Sequence, residues 1–379
     1  QKLIRVSTMY ILNDFYKALR LFVKTHAELD IDIKLPMLKH HINGHIRFYS
    51  TKNLQNLVEK LVEDLKIVER CSWSSDYLSI WLKKELWVST VMKEILISGR
   101  KYGSNDDHKG TVVSVSSDEC NDSVTCLRIE LLKEAIQNLA KTNGYIIGND
   151  GLNLLVSKKN NPNSSNLVLC GNVVCNVNVK EYKQRKQESV TKMSANRIES
   201  KEYPIDIISK LCHASIVYEL LSVRHNKVIN TECDTSNKDS GIFIMYNYSR
   251  LCQVWKAYEN GVIENYYESL PDICSVNFGL LTSNEEWILI LNHLSMYPLV
   301  IQQSVQHLMS ASVDVHRLCK FLMEMSSAVS LFYHRHHILS DPIASLLPLM
   351  YARLYLVKTS IQVYENVFQL LGIKAVREM

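Results

Sequence analysis

No stretch of this chain approaches the roughly 18 consecutive apolar residues that a membrane-spanning helix needs. A membrane partner is therefore not expected. The ten cysteines are scattered, with no C-x-x-C pair, and neither Cys120 with Cys126 nor Cys170 with Cys175 has a matching second half. That argues against zinc knuckles and disulfide frameworks and for reduced, mostly buried thiols in a cytoplasmic protein. Gly144, Gly148 and Gly151 do not make G-x-G-x-x-G, so no dinucleotide or methyl-donor loop is visible, and no cofactor or small-molecule substrate is expected. The opening residues, Gln1-Lys2-Leu3-Ile4-Arg5, lack an initiator Met and the zones of a signal peptide, so the chain is expected to be a fragment or short form. A dominant charge is missing too. Residues 241–379 carry nine Lys and Arg against eleven Asp and Glu, and residues 1–240 carry 34 against 28. Non-specific attraction to a polyanion would be modest, and any nucleic acid held by the C-terminal region would be held largely by shape and stacking.

What is present is helical periodicity in a chain of 379 residues, long enough for two or three domains. Leu318, Phe321, Leu322, Met325, Ala328, Val329 and Phe332 form one apolar stripe. Met350, Leu354, Val357, Ile361, Tyr364, Phe368 and Leu371 alternate steps of four and three, the seam of a helical bundle, and Gly372 stands where a helix stops. Ser283-Asn284-Glu285-Glu286 is a capping box that opens a helix at Trp287, with Leu291 and Leu294 on its apolar side. Further helices are predicted over 15–28, 54–68, 127–141 (stopped by Gly144) and 205–223. Strands are predicted over 77–82, and over 152–156 and 167–174 around a turn at 160–164. The polar stretch 99–120 reads as a linker and domain boundary, and 230–240 as a polar loop.

The motifs in the last third are more specific than their periodicity. They are His316-Arg317-Leu318 opening a helix, Phe332-Tyr333 before a loop with Ile338-Leu339, Ala352-Arg353-Leu354, Leu371-Gly372-Ile373 and a terminal Met379. Together they resemble the C-terminal anticodon-binding domain of arginyl-tRNA synthetases, the DALR domain. Tyr246-Asn247-Tyr248-Ser249-Arg250 resembles the tyrosine- and arginine-containing helix that opens it. The resemblance runs over residues 241–379, more weakly over 120–240, and is closest to a synthetase-derived group, the DALR anticodon-binding domain-containing protein 3 family. It implies a mainly α fold: a DALR-type helical bundle at 241–379 after a degenerate, truncated α/β Rossmann-like region at 111–200. A connecting helix at 201–240 and an N-terminal α/β region of unclear role at 1–110 complete the chain.

Class I synthetases handle ATP with H-x-G-H and K-M-S-K signatures, and neither is intact here. His41-Ile42-Asn43-Gly44-His45 is one residue too long and reads as a surface loop. Lys192-Met193-Ser194 is followed by Ala195 and reads as coincidence, because the family's degenerate signature lies nearer Val177. Leu127-Arg128-Ile129 resembles the first helix of the nucleotide-binding domain, preceded by Asp122-Ser123-Val124-Thr125-Cys126 in place of the expected histidines and glycine.

RNA loops are read by stacking aromatic or guanidinium planes on unstacked bases. Tyr333, His334, Arg335 and His337 supply such groups at a helix end, and the histidine spacing of two and one suits no single metal ion, so no metal is expected. Asn247 and Arg250 lie three apart on one helix, either facing RNA or bonding within the bundle. Arg353 sits beside the seam, facing RNA or capping a neighbouring helix. Met379, by resemblance, lies against the anticodon loop; otherwise it is a frayed end. The basic run from Lys180 to Lys201, with Lys183, Arg185 and Lys186, is either a solvated helix face or a phosphate-contacting surface. The resemblance implies a non-catalytic adaptor that binds arginine tRNAs and brings them to a methyltransferase making 3-methylcytidine in the anticodon loop. A divergent arginyl-tRNA synthetase and a protein-interaction scaffold without RNA are the alternatives.

Overall fold

The computed structural model describes residues 10–28, 44–118, 122–159, 166–195, 204–231 and 240–379. In chain order come α1 (Ile11–Ala27), β1 (Ile46–Tyr49), α2 (Val58–Asp64), β2 (Val68–Ser74), β3 (Tyr77–Leu82) and α3 (Lys84–Ser98). Next are β4 (Val112–Ser117), α4 (Val124–Thr142), β5 (Ile146–Ile147), β6 (Leu152–Ser157), β7 (Leu167–Leu169), β8 (Val173–Val174), α5 (Val179–Ala195), α6 (Ile205–Leu221) and β9 (Ile229–Asn230). Five helices close the chain: α7 (Ser240–Ile263), α8 (Asn284–Ile288), α9 (Tyr297–Val305), α10 (His316–Arg335) and α11 (Leu347–Leu370). Among the described residues no helix is long and apolar enough to cross a membrane. The chain divides into two compact units: residues up to Ile97 with Glu268–Met296 and Ser340–Thr359, and Ser98–Tyr267 with Tyr297–Leu339 and Ser360–Met379.

The first unit is built on an antiparallel sheet of order β1-β3-β2. Its hairpin turns at Ser75 and Asp76, both at positive φ (48° and 66°), the conformation that a two-residue turn needs to match strand twist. Alternation places Leu78, Ile80 and Leu82 in the core with Ile46 and Phe48. Helices α1 and α3 add Phe15 and Trp87, whose rings meet edge to face at 6.1 Å. Two expectations are corrected in this unit. The helix predicted over 54–68 ends at Asp64, and Val68 instead opens β2, where pairing with β3 outweighs the helical spacing. The segment predicted as a surface loop at 41–47 lies outside the described residues as far as 43. Beyond that, His45 is buried, its Nδ1 accepts the Leu82 N–H at 2.8 Å, and its ring lies 4.8 Å from Trp287.

The second unit holds a four-stranded parallel sheet of order β5-β4-β6-β7 with α4 packed on it through Ile129, Leu132, Ala135, Ile136 and Leu139. Gly144, at φ 84°, ends α4 as expected; a Cβ there would come within 3.1 Å of the Asp106 backbone. The stretch predicted as a linker over 99–120 contains β4, which pairs with both β5 and β6. Its alternate serines hid it: only Val113 and Val115 carry the buried face. The strands predicted either side of 160–164 pair in parallel, and the turn itself lies outside the described residues. Beyond the sheet, α5, α6, α7, α10 and the end of α11 make the helical part. Tyr248 of α7 meets Tyr364 and Phe368 of α11 edge-on at 5.8 and 5.2 Å, and Ser326 of α10 bonds the Tyr364 hydroxyl at 2.8 Å. The stripe read for α10 is buried except for half-exposed Ala328, and the seam read for α11 is buried except for half-exposed Ile361.

Candidate nucleic-acid interface

The side chains that suit RNA gather where α7 passes the C-terminal end of α10. Tyr246 and Arg250 are one helical turn apart on α7, so they lie one above the other. The Arg250 guanidinium sits 4.6 Å from the Tyr246 ring and 4.3 Å from the Tyr333 ring. All three residues are half-buried, and among the described residues no carboxylate pairs with Arg250. The guanidinium keeps its N–H donors available at the edge of two aromatic planes. Next to Tyr333, His334 and Arg335 are exposed in the last turn of α10, where the helix dipole favours positive charge. The helix is closed by the His336 N–H, which donates to Phe332 O at 3.1 Å, and His337 beyond it is exposed.

A second face of α7 holds the end of the chain. Ser249, Gln253 and Lys256 follow at steps of four and three. The Ser249 hydroxyl donates to Val376 O, Gln253 Nε2 to Met379 O at 2.9 Å, and Lys256 pairs with Glu378. Arg377 and the Tyr248 hydroxyl share Glu365, at 2.6 and 2.9 Å. Met379 is therefore fastened to the helix that carries Arg250 rather than frayed.

Other expected site residues are placed elsewhere. Asn247 is fully buried: Nδ2 donates to Phe243 O at 2.9 Å, and Oδ1 has no partner among the described residues. Spacing alone put it beside Arg250, but bundle packing covers it. Arg353 belongs to the first unit, where its Nε donates to Glu286 Oε1 at 2.8 Å. Glu286 is the N3 residue of the predicted capping box, so Arg353 closes a helix start. Lys186 is drawn inward to Glu219, with Nζ 2.6 Å from Oε2, an oxygen that also accepts the Tyr182 hydroxyl. Lys183 and Arg185 stay exposed on α5, Arg185 pairing with Glu181 one turn earlier at 2.7 Å. Lys192 lies in the last turn of α5, inside a helix.

Three residues that hold these clusters together were not among the expected site residues. Tyr246 was visible as the i−4 neighbour of Arg250, and Gln253 as part of a 249/253/256 face. Arg128 had no such signal. It is 1% exposed, and its guanidinium donates to the main-chain carbonyls of Leu220, Gly171, Lys227 and Arg224.

Residues 244–379 match the model of the DALR anticodon binding domain. Across its longer matches the chain is similar to DALR anticodon-binding domain-containing protein 3 of Danio rerio, 26% identical over 232 residues, or 56% of this chain and 41% of that protein. It is also similar to the Mus musculus protein of the same name, 30% identical over 167 residues, or 42% of this chain and 31% of that protein. The matched segments thus span well under half of those relatives. In fold it is similar to the arginyl-tRNA synthetase of Thermus thermophilus, with a TM-score of 0.70 at 10% identity, covering 97% of this chain and 100% of that one.

Proposed function

We propose that this chain is a non-catalytic tRNA adaptor: it binds arginine tRNAs in the cytoplasm and delivers them to a 3-methylcytidine methyltransferase that modifies the anticodon loop. The observation that carries the RNA-binding half is Arg250 held between the Tyr246 and Tyr333 rings, with exposed His334, Arg335 and His337 alongside. A guanidinium flanked by aromatic planes, with exposed planar side chains at the same helix end, suits splayed bases. The methyltransferase half rests on the family resemblance. The adaptor's contribution is effective concentration, since two linked contacts make the second nearly intramolecular.

The non-catalytic half has its own support. His45, the last residue of the H-x-x-G-H stretch, is buried with its Nδ1 occupied by a backbone N–H, and Lys192 is embedded in a helix. His45 therefore cannot offer that nitrogen to a phosphate. The test is a gel shift at physiological salt with an arginine tRNA against an unrelated tRNA, paired with ATP–pyrophosphate exchange in the presence of arginine. A selective shift without exchange is expected. Exchange activity would favour a divergent synthetase, and no shift with any tRNA would favour a protein scaffold.

A further inference from the structure

The loop joining α6 to β9 is held from within. Arg128 of α4 spends its donors on main-chain oxygens: Nε on Leu220 (3.0 Å), Nη1 on Gly171 (2.8 Å) and Lys227 (2.7 Å), and Nη2 on Arg224 (3.1 Å). The Lys227 N–H donates to Arg224 O at 2.9 Å, closing a turn, and the side chains of Arg224 and Lys227 are exposed. An arginine buried without a carboxylate costs desolvation, so a loop backbone fixed this way is fixed firmly.

The opening turn of α10 adds two more basic residues, His316 and Arg317. Arg317 Nε bonds Asp314 at 3.0 Å, and His316 Nδ1 lies 3.7 Å from the same carboxylate, too far for a hydrogen bond. That Nδ1 is buried and has no hydrogen-bond partner among the described residues. Helix α6, which leads into this loop, packs on α10, and the charges of Arg224 and Arg317 both bear on Asp314 and on His316. Burial holds His316 below the ordinary histidine range; Asp314 pulls it back, and Arg224, Arg317 and His225 push it further down. Asp314 therefore faces the positive charges of both Arg317 and Arg224. They also sit at the positive end of a 20-residue helix whose first turn carries no acid and whose N-cap makes no side-chain bond.

We infer that Arg224, Lys227 and Arg317 form a contact for the phosphate backbone of RNA, at the opposite end of α10 from the Tyr246–Arg250–Tyr333 stack. Guanidinium groups match phosphate oxygens bidentately, and such contacts position an RNA while stacking reads it. From His316 to Tyr333, α10 spans about 25 Å at 1.5 Å per residue, so a large folded RNA can reach both ends of the helix. The inference rests on the reading that the chain binds tRNA.

The test uses the whole chain, a complete arginine tRNA and its isolated anticodon stem–loop, with the association constant measured against salt. The exposed pair is removed in R224Q/K227Q, and Y333A serves as the comparison variant. R224Q/K227Q is expected to flatten the log–log salt slope for the complete tRNA by about 1.4–1.8, two phosphate contacts' worth, and to leave the stem–loop slope unchanged. R317Q, scored in the same way, is expected to flatten it further. An unchanged slope for the complete tRNA, or an equal change for the stem–loop, overturns the patch. If Y333A weakens binding while R224Q/K227Q does not alter the slope, the patch alone fails. If the parent chain binds neither RNA, the tRNA reading itself fails and the patch falls with it.

Discussion

The guanidinium of Arg250 lies 4.3 Å from the ring of Tyr333, joining a helix that opens the anticodon-binding domain to the end of α10. Such a pair is worth about 0.5–1 kcal/mol to stability when partly exposed. Base stacking on the same planes is worth about 1–3 kcal/mol per base. R250A and Y333A are therefore expected to weaken tRNA binding roughly 5- to 150-fold, while lowering the unfolding midpoint only slightly. R250K keeps the charge and loses the plane, so it is expected to bind like R250A. A fluorescence titration showing R250K equal to the parent would leave only a point charge at this position.

Lys186, Lys183 and Arg185 allow the two readings of the basic run to be separated by experiment. Lys186 and Glu219 are 11% and 5% exposed and form a close pair, with Tyr182 on the same oxygen. K186M strands a buried carboxylate and is expected to cost about 3–5 kcal/mol in urea unfolding. K183A and R185A change exposed groups and are expected to stay within about 0.5 kcal/mol. If α5 touches phosphate, K183A/R185A lowers tRNA affinity with stability intact. If both the affinity and its salt dependence are unchanged, α5 is a solvated face.

Arg353 and Glu286 form a comparable pair in the first unit, 14% and 1% exposed. Glu286 Oε2 also accepts the Ser283 N–H of its own capping box. R353A is expected to destabilise by about 3–5 kcal/mol, because Glu286 keeps its charge and loses a partner. R353M, which refills the volume without the charge, is expected to be destabilised similarly. A denaturation midpoint for R353M equal to the parent's would show that packing, not charge, is what Arg353 supplies.

These contacts show which features the sequence made legible. Periodicity identified α10 and α11 to within a few residues, because an apolar face against a bundle leaves a repeat at every turn. The Ser283–Glu286 box and Gly144 were readable because capping is local chemistry. What escaped depends on distant partners. β4 carries only two buried valines and reads as a polar linker until β5 and β6 flank it. Asn247 and Arg353 are residue types that suit RNA, and nothing within a helical turn of either shows that packing or a carboxylate 67 positions away has claimed it. Within the candidate interface, the partnership of Arg250 with Tyr333 across 83 residues needed the resemblance to be suspected and the fold to be seen.

The first helix supplies a test by pH. The Ile11 N–H donates to Glu94 Oε1 at 2.8 Å, and Oε2 is buried with no partner among the described residues. Burial pushes the Glu94 carboxyl up to about 7; the Ile11 N–H opposes this, and Asp14 adds to it. In the unfolded chain the group returns to its ordinary value of 4.5. Between these values the folded state keeps a proton that the unfolded state has lost, so stability falls as pH rises through the window and levels off above 7. The loss is at most about 3 kcal/mol. E94Q keeps an oxygen for the Ile11 N–H and cannot ionise. Its stability relative to the parent is expected to be unchanged from pH 3 to pH 4, to climb between pH 4.5 and pH 7, and to be highest at pH 8. Urea midpoints at pH 4, 6 and 8 measure this, and a difference that does not vary with pH would mean that Glu94 titrates in the fold as it does in the unfolded chain.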